Sequence, residues 1–174
     1  MRIADMTWMQ AVEAAEPLRI PVFPYGITPY FMDYPGTVTV SRTTYERRRL
    51  EILGSMRRHG FKRIDVVNGH GGNTSVRPAV EAWAARRKGV ALRWHDWWKA
   101  SESFPWTRVE GAGAPAGRKP RTPSLAGDEL SPQRFREVMG DSSMGGYYER
   151  SADETDQLWA FAVEETREML AAGW

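Results

Sequence analysis

The sequence has no cysteine. That absence removes disulfides, thiolate metal sites, iron–sulfur clusters and cysteine nucleophiles together, and it fits a reducing compartment. Histidine is scarce: His59, His70 and His95 are the only three, so any imidazole chemistry rests on them. Long apolar runs are missing too. No segment approaches the about 20 apolar residues of a membrane span, and Met1 to Glu16 carries Asp5, Glu13 and Glu16 with no apolar core of a signal peptide. The expectation is a soluble cytoplasmic protein with no membrane partner. Charge of one sign is also lacking. Lys+Arg is 24 and Asp+Glu is 22, a formal net charge of +2. A balance so near neutral argues against a dedicated nucleic-acid binder, which concentrates basic residues on one face.

What remains is 174 residues, the length of one domain with room for a core. Thr7 to Glu16 reads as a short helix opened by a Thr7–Gln10 capping spacing and ended by Pro17. Arg19 to Phe23 is a short β-type run broken by Pro21, and Pro24 to Gly36 reads as a loop. Thr37 to Ser41 alternates and predicts a strand. Thr44 to His59 predicts a helix with Tyr45, Ile52, Leu53 and Met56 inward, His59 in its last turn, and Gly60 as the C-terminal cap. Phe61 to Asn68 is the next strand, Thr74 to Lys88 a helix using Val76, Val80 and Trp83, and Val90 to Trp94 a further strand. Alternating strands and helices predict an α/β fold with a mainly parallel sheet. Glu110 to Gly127, with three prolines and four glycines, reads as a flexible loop. Ser131-Pro132 starts a short helix, and Ser151–Glu154 opens a long one through Leu170.

The chemistry concentrates after the strand Ile64–Val67, in Asn68-Gly69-His70-Gly71-Gly72-Asn73. Three glycines in four positions allow a sharp turn and a close approach of another group. Loops at the carboxyl ends of parallel strands are where open α/β sheets bind ligands. A histidine there is placed to bind a metal or move a proton, and Asn68 and Asn73 can bond across the turn. An anion site at the following helix start is the alternative, but the loop lacks the Lys and Ser/Thr of a phosphate loop and misses the dinucleotide spacing. A purely structural glycine turn is the plain reading. The arginine clusters at Arg47–Arg49, Arg57–Arg58 and Arg86–Lys88 read as solvated helix faces. Trp97, Trp98 and Trp106 flank the loop region and suit the wall of a pocket for a planar ligand.

The hexapeptide resembles the creatininase (creatinine amidohydrolase) family. Pro24-Tyr25-Gly26 with Tyr34-Pro35-Gly36-Thr37 is similar to that family's Y-G…F-P-G-T stretch, and Gly140-Asp141-Ser142-Ser143 resembles its late G-D-x-S turn. The resemblance implies one creatininase-like α/β domain over 1–174, three-layered, in a ring-like homo-oligomer. It implies hydrolysis of a small amide C–N bond, cyclic or open, by water activated on a divalent zinc, manganese or iron ion. It places His70 and Glu102 as metal ligands, with Glu102 also in the catalytic set. It makes Trp98 a wall of the substrate site beside Asn73, Gly71 and Gly72. The family's first ligand segment, G-S-x-E-Q-H, has no counterpart in this sequence. Local substitutes are Asp96 as a ligand and His95 as a catalytic group, both just after the Val90–Trp94 strand. Asp33 reads as a turn residue. The alternative is a catalytically impaired homologue that acts as a binding or partner subunit.

Overall fold

The computed structural model describes residues 20–97, 131–139 and 151–174. Glu102, Trp98, Trp106, the 110–127 loop and Gly140–Ser143 lie outside the described residues, as does the Thr7–Glu16 helix.

The first helix, α1 (Arg42–Arg58), starts two residues earlier than its apolar stripe suggests, because Ser41 caps it by accepting from the Thr44 N–H at 3.2 Å. It ends as expected. Gly60 takes a left-handed φ of +90°, its N–H reaches the Arg57 carbonyl, and the Phe61 N–H reaches that of Met56. This pair of bonds closes the helix and turns the chain into strand β1 (Arg63–Asn68). A 3-10 turn over Gly71–Val76 leads into α2 (Arg77–Ala85). The sequence predicted one continuous helix here. Pro78 stands in the first turn of the helix, where its missing N–H has no intrahelical bond to lose, and regular α-helix begins at Arg77. Strand β2 (Ala91–Asp96) pairs parallel with β1, from Arg63↔Ala91 to Asn68↔Asp96. That register brings the carboxyl ends of both strands level.

The predicted Thr37–Ser41 strand is a correction. Only an isolated parallel bridge, Gly26↔Thr39, forms there. The Thr39 hydroxyl accepts from the Thr28 N–H at 2.8 Å instead, and Ser41 is already committed to capping α1. Ile20 to Phe23 likewise carries no strand pairing among the described residues.

Two apolar clusters hold these elements. One joins Leu53 of α1, Ile64 and Val66 of β1, and Val80, Trp83 and Ala84 of α2. The other joins Ile27, Tyr45 and Val76. Helix α3 (Pro132–Met139) is capped by Ser131, which accepts from the Arg134 N–H at 3.2 Å. Its Phe135 is fully buried against Tyr30 and Phe31, with ring centroids 5.2 and 5.0 Å apart. Helix α4 (Ala152–Ala171) buries Ala162, Val163 and Thr166, and beyond it the Trp174 ring sits under the Arg93 guanidinium, 4.2 Å away. Among the described residues no helix is long and apolar enough to cross a membrane.

Candidate functional site

Asn68 ends β1 with its side chain wholly buried, and everything in the glycine loop is organised about it. Its Nδ2 donates to Asp96 Oδ1 at 2.8 Å and to Thr74 Oγ1 at 3.4 Å. Its Oδ1 accepts from Asn73 Nδ2 at 3.2 Å and from the His70 N–H at 3.3 Å. Both amide hydrogens and both lone pairs are therefore used. The bond between the two asparagines is the one expected from the sequence. Asn73, also buried, passes the chain on: its Oδ1 accepts from the Ile27 N–H at 2.9 Å. A continuous buried line of polar groups thus runs Asp96–Asn68–Asn73–Ile27 and ties three separate segments together.

Two glycines make that closeness possible. A Cβ on Gly72 would stand 1.9 Å from the Ile27 carbonyl oxygen, and one on Gly26 would stand 2.8 Å from Asn73 Oδ1. Gly71, in contrast, has open space around it. Asn73 and Gly72, expected at the substrate, are thus engaged in docking the loop.

His70 takes an extended backbone (φ −153°) and caps the 3-10 turn, with Nδ1 accepting from the Gly72 N–H at 3.3 Å. Its ring lies against Tyr30, 6.4 Å between centroids at 26°. Burial lowers the His70 pKa, opposed by a hydrogen bond from the ring to the Ile27 carbonyl. The neutral ring is the form that binds a metal or accepts a proton. Burial likewise raises the Tyr30 pKa, opposed by its bond to the Thr28 side chain. Trp97 Nε1 donates to the Gly69 carbonyl at 3.4 Å, and Trp97, His70, Asn73 and Thr28 share one cleft.

Strand β2 runs two residues further than expected, and this separates His95 from Asp96. Successive strand residues face opposite ways. Asp96 lies with Asn68, its Oδ1 accepting also from Trp94 Nε1 at 2.8 Å and its Oδ2 3.9 Å from Arg77. His95 instead meets α4, with Nε2 3.2 Å from Thr166 Oγ1. Asp33 pairs with Arg136 at 3.3 Å, in keeping with a turn role. Among the described residues, no group of three or more His, Asp or Glu is gathered closely enough to hold a metal ion. The donors present at this edge do not by themselves fit a metal centre, which takes about three protein ligands.

Sequence inspection flagged His70, Gly72 and Asn73 but missed Tyr30, Gly26 and Trp94. The signal for Gly26 was present in the Pro24-Tyr25-Gly26 triplet; Trp94 carried none, since its indole matters only through the register.

Burial also lowers the His95 pKa, opposed by the charges of Glu165, Asp96 and Asp65. Both histidines therefore hold a proton less readily when folded than when unfolded, where the value is about 6.5. Below that value the unfolded chain binds more protons, so stability is complete above pH ~6.5 and declines on acidification towards the folded values. The melting temperature is expected to fall between pH 7.5 and pH 5, and His95→Gln should shallow the slope. An unchanged slope in the variant would remove His95 from this account.

Comparisons with known proteins bear on this geometry. The creatininase family model, described as creatinine amidohydrolase, matches residues 2–119. No curated protein sequence matches. Three solved structures are similar, each covering 97% of this chain and 80% of its own. They are a creatinine amidohydrolase (creatininase) at 14% identity and TM-score 0.74, a creatininase with Mn at 15% and 0.70, and a mutant creatininase of Zn-Zn type at 13% and 0.71. At these identities the likeness is one of fold.

Proposed function

Since the chain belongs to the creatinine amidohydrolase family, we propose that it hydrolyses the C–N bond of a small amide at the cleft beside His70. One observation carries the reading. A half-buried imidazole, kept neutral by its burial, is presented at the carboxyl end of a parallel strand and faces a cleft. A neutral ring in that place serves either to hold a divalent ion or to accept a proton from attacking water. A zinc, manganese or iron ion held here would need donors beyond the described residues, Glu102 first, with Trp98 as a substrate wall. Assembly into a homo-oligomer belongs to the same proposal.

A second reading, a catalytically impaired homologue acting as a binding or partner subunit, is favoured by a specific observation. Asp96, Asn68 and Asn73 are all consumed in internal bonds, and His95 faces α4.

Metal analysis separates the two. Protein purified without chelator is expected to carry about one or two divalent ions per chain, lost in His70→Ala and reduced in Glu102→Gln. Metal-free protein whose melting is unmoved by added zinc or manganese would sink the hydrolase reading and leave the second.

A further inference from the structure

Strand β1 has a strand partner on one side only. The Ala91 N–H donates to the Lys62 carbonyl at 2.7 Å, and the ladder to β2 continues in that register. Along a strand, alternate residues turn their backbone groups to the same side. Lys62, Ile64 and Val66 therefore bond towards β2, while Arg63, Asp65 and Val67 turn their N–H and C=O groups the other way. Among the described residues no strand pairs with that free edge. Such a row of unpaired groups is a template for another strand.

A cleft of about 1410 Å³ runs along this edge, beyond the roughly 300–1,000 Å³ of small-ligand sites. It touches every residue from Arg63 to Val67. Neighbouring strand residues face opposite ways, so a cleft that meets all five borders the edge of the strand rather than one face. The layers agree. Ile64 and Val66 pack with Leu53 of α1. On the opposite face Arg93, paired with Asp65, reaches the Gly173 carbonyl beyond α4, and His95, level with Val67, reaches Thr166 within α4. Both layers line the cleft, α1 through Leu53 and Met56, α4 through Thr166 and Leu170. Its other wall is the stretch 20–26. Ile27 packs on Tyr45 and Phe23 lies under Arg48, so this stretch runs against α1. Helix α1 ends at the turn that begins β1, and the stretch therefore runs alongside β1 in the same direction.

The walls are apolar and uncovered. Six large apolar side chains are exposed among the described residues, and five of them, Ile20, Val22, Tyr25, Val38 and Trp174, line this cleft. Exposed apolar surface gathered in one place marks a binding surface. A strand with both faces covered takes about 4.8 Å by 10 Å by 3.3 Å per residue, or roughly 160 Å³. The cleft therefore has room for about nine residues of strand, against the six of β1.

A strand covered on both faces is a nearly continuous apolar run, and this chain has none to spare. In 1–19, 98–130 and 140–150, outside the described residues, no more than two apolar residues stand together without a glycine or proline between. A second copy has the same shortage. Arg48 and Arg63 line the cleft with no carboxylate partner among the described residues, so acidic flanks complement it.

We propose that the slot between β1 and 20–26 receives an extended segment of another polypeptide, an apolar run of about six to nine residues with acidic flanks, which pairs as a strand with Arg63, Asp65 and Val67. This surface is independent of the hydrolase reading of His70.

Amide hydrogen exchange on the full chain tests it, with a synthetic peptide of alternating valines and isoleucines between paired glutamates as the probe. Saturating peptide should slow the Arg63, Asp65 and Val67 amides roughly tenfold or more, and leave Ile64 and Val66, already bonded to β2, unchanged. The same peptide N-methylated at alternate residues of its run cannot donate along one edge, and should bind roughly tenfold or more weakly. Val22→Glu sets a charge in the apolar wall at an exposed position. It should weaken the peptide by a similar factor with the melting temperature unchanged. Failure of the peptide to bind, equal affinity for its N-methylated form, or no slowing at the three amides overturns the assignment. So does protection of those amides in the free protein equal to that of Ile64 and Val66. Independent of protein concentration, it would give the slot to this chain's own segments; rising with concentration, to a second copy.

Discussion

Replacing Gly72 with alanine is expected to unseat the glycine loop, at a cost of about 3 kcal/mol, the upper end of ordinary overpacking. The new methyl would fall 1.9 Å from the Ile27 carbonyl oxygen, and that oxygen belongs to backbone that cannot swing aside. Ile27 is itself fixed, buried in the Tyr45–Val76 cluster with its N–H on Asn73. Either the loop or the 26–28 segment must move, and moving either breaks the Asn73 bond. For a chain of this size the melting temperature should drop by roughly 6–12 °C. Gly71→Ala is the internal control. Nothing lies within 4 Å of its Cβ position, so its effect should stay within about 0.5 kcal/mol. Similar melting of the two variants would mean that the loop is not docked on Ile27 as described.

Removing the Asn68 side chain should be comparably severe. Asn68→Ala takes one donor from the Asp96 carboxylate, which keeps Trp94 Nε1, and leaves the Asn73 Nδ2 and the His70 N–H without their acceptor inside the protein. Each buried group left without a partner costs about 1–3 kcal/mol. Part of that is recovered by water entering the space, so a net loss of about 3 kcal/mol is expected in urea unfolding. Asn68→Asp keeps the shape but sets a second carboxylate against Asp96, where the separation is 2.8 Å. It should destabilise strongly at neutral pH and recover on acidification, as one of the two acids takes a proton. A double-mutant cycle of Asn68→Ala with Asp96→Ala should give a coupling above about 1 kcal/mol. Additive effects would show that the two side chains act independently. The His70 ring resonance should shift in Asn68→Ala as well, because the backbone that carries His70 loses its anchor.

The end of α1 was legible because Gly60 and its neighbours settle it locally. The α1 and α2 core faces were legible from their periodicity: Tyr45, Leu53, Val80 and Trp83 are buried, Ile52 and Met56 are half-buried, and Val76 is buried just ahead of α2. The start of β2 was legible, but its end was not. Nothing in Trp94-His95-Asp96 announces that the ladder continues to Asp96, because a strand's length depends on the partner it pairs with. Those last two residues decide whether His95 and Asp96 share a site. In a strand they cannot, since neighbours face opposite ways. The Thr37–Ser41 alternation misled for the related reason that Thr39 and Ser41 spend their hydroxyls on turn and cap bonds.

The missing cysteines and the three histidines fixed the chemical alphabet of this protein: imidazole and carboxylate, with no thiolate. The hexapeptide fixed where that chemistry is displayed, because only a glycine-rich turn after a strand lets another backbone come so near. Tertiary structure decided the rest. It turned Asp96 inward to hold Asn68, turned His95 away to Thr166, set Tyr30 against His70, and left the Arg49 Nε buried without a partner. All of these depend on register and on which segments pack together, and those follow from the balance of many weak contacts across the chain rather than from any local run of residues.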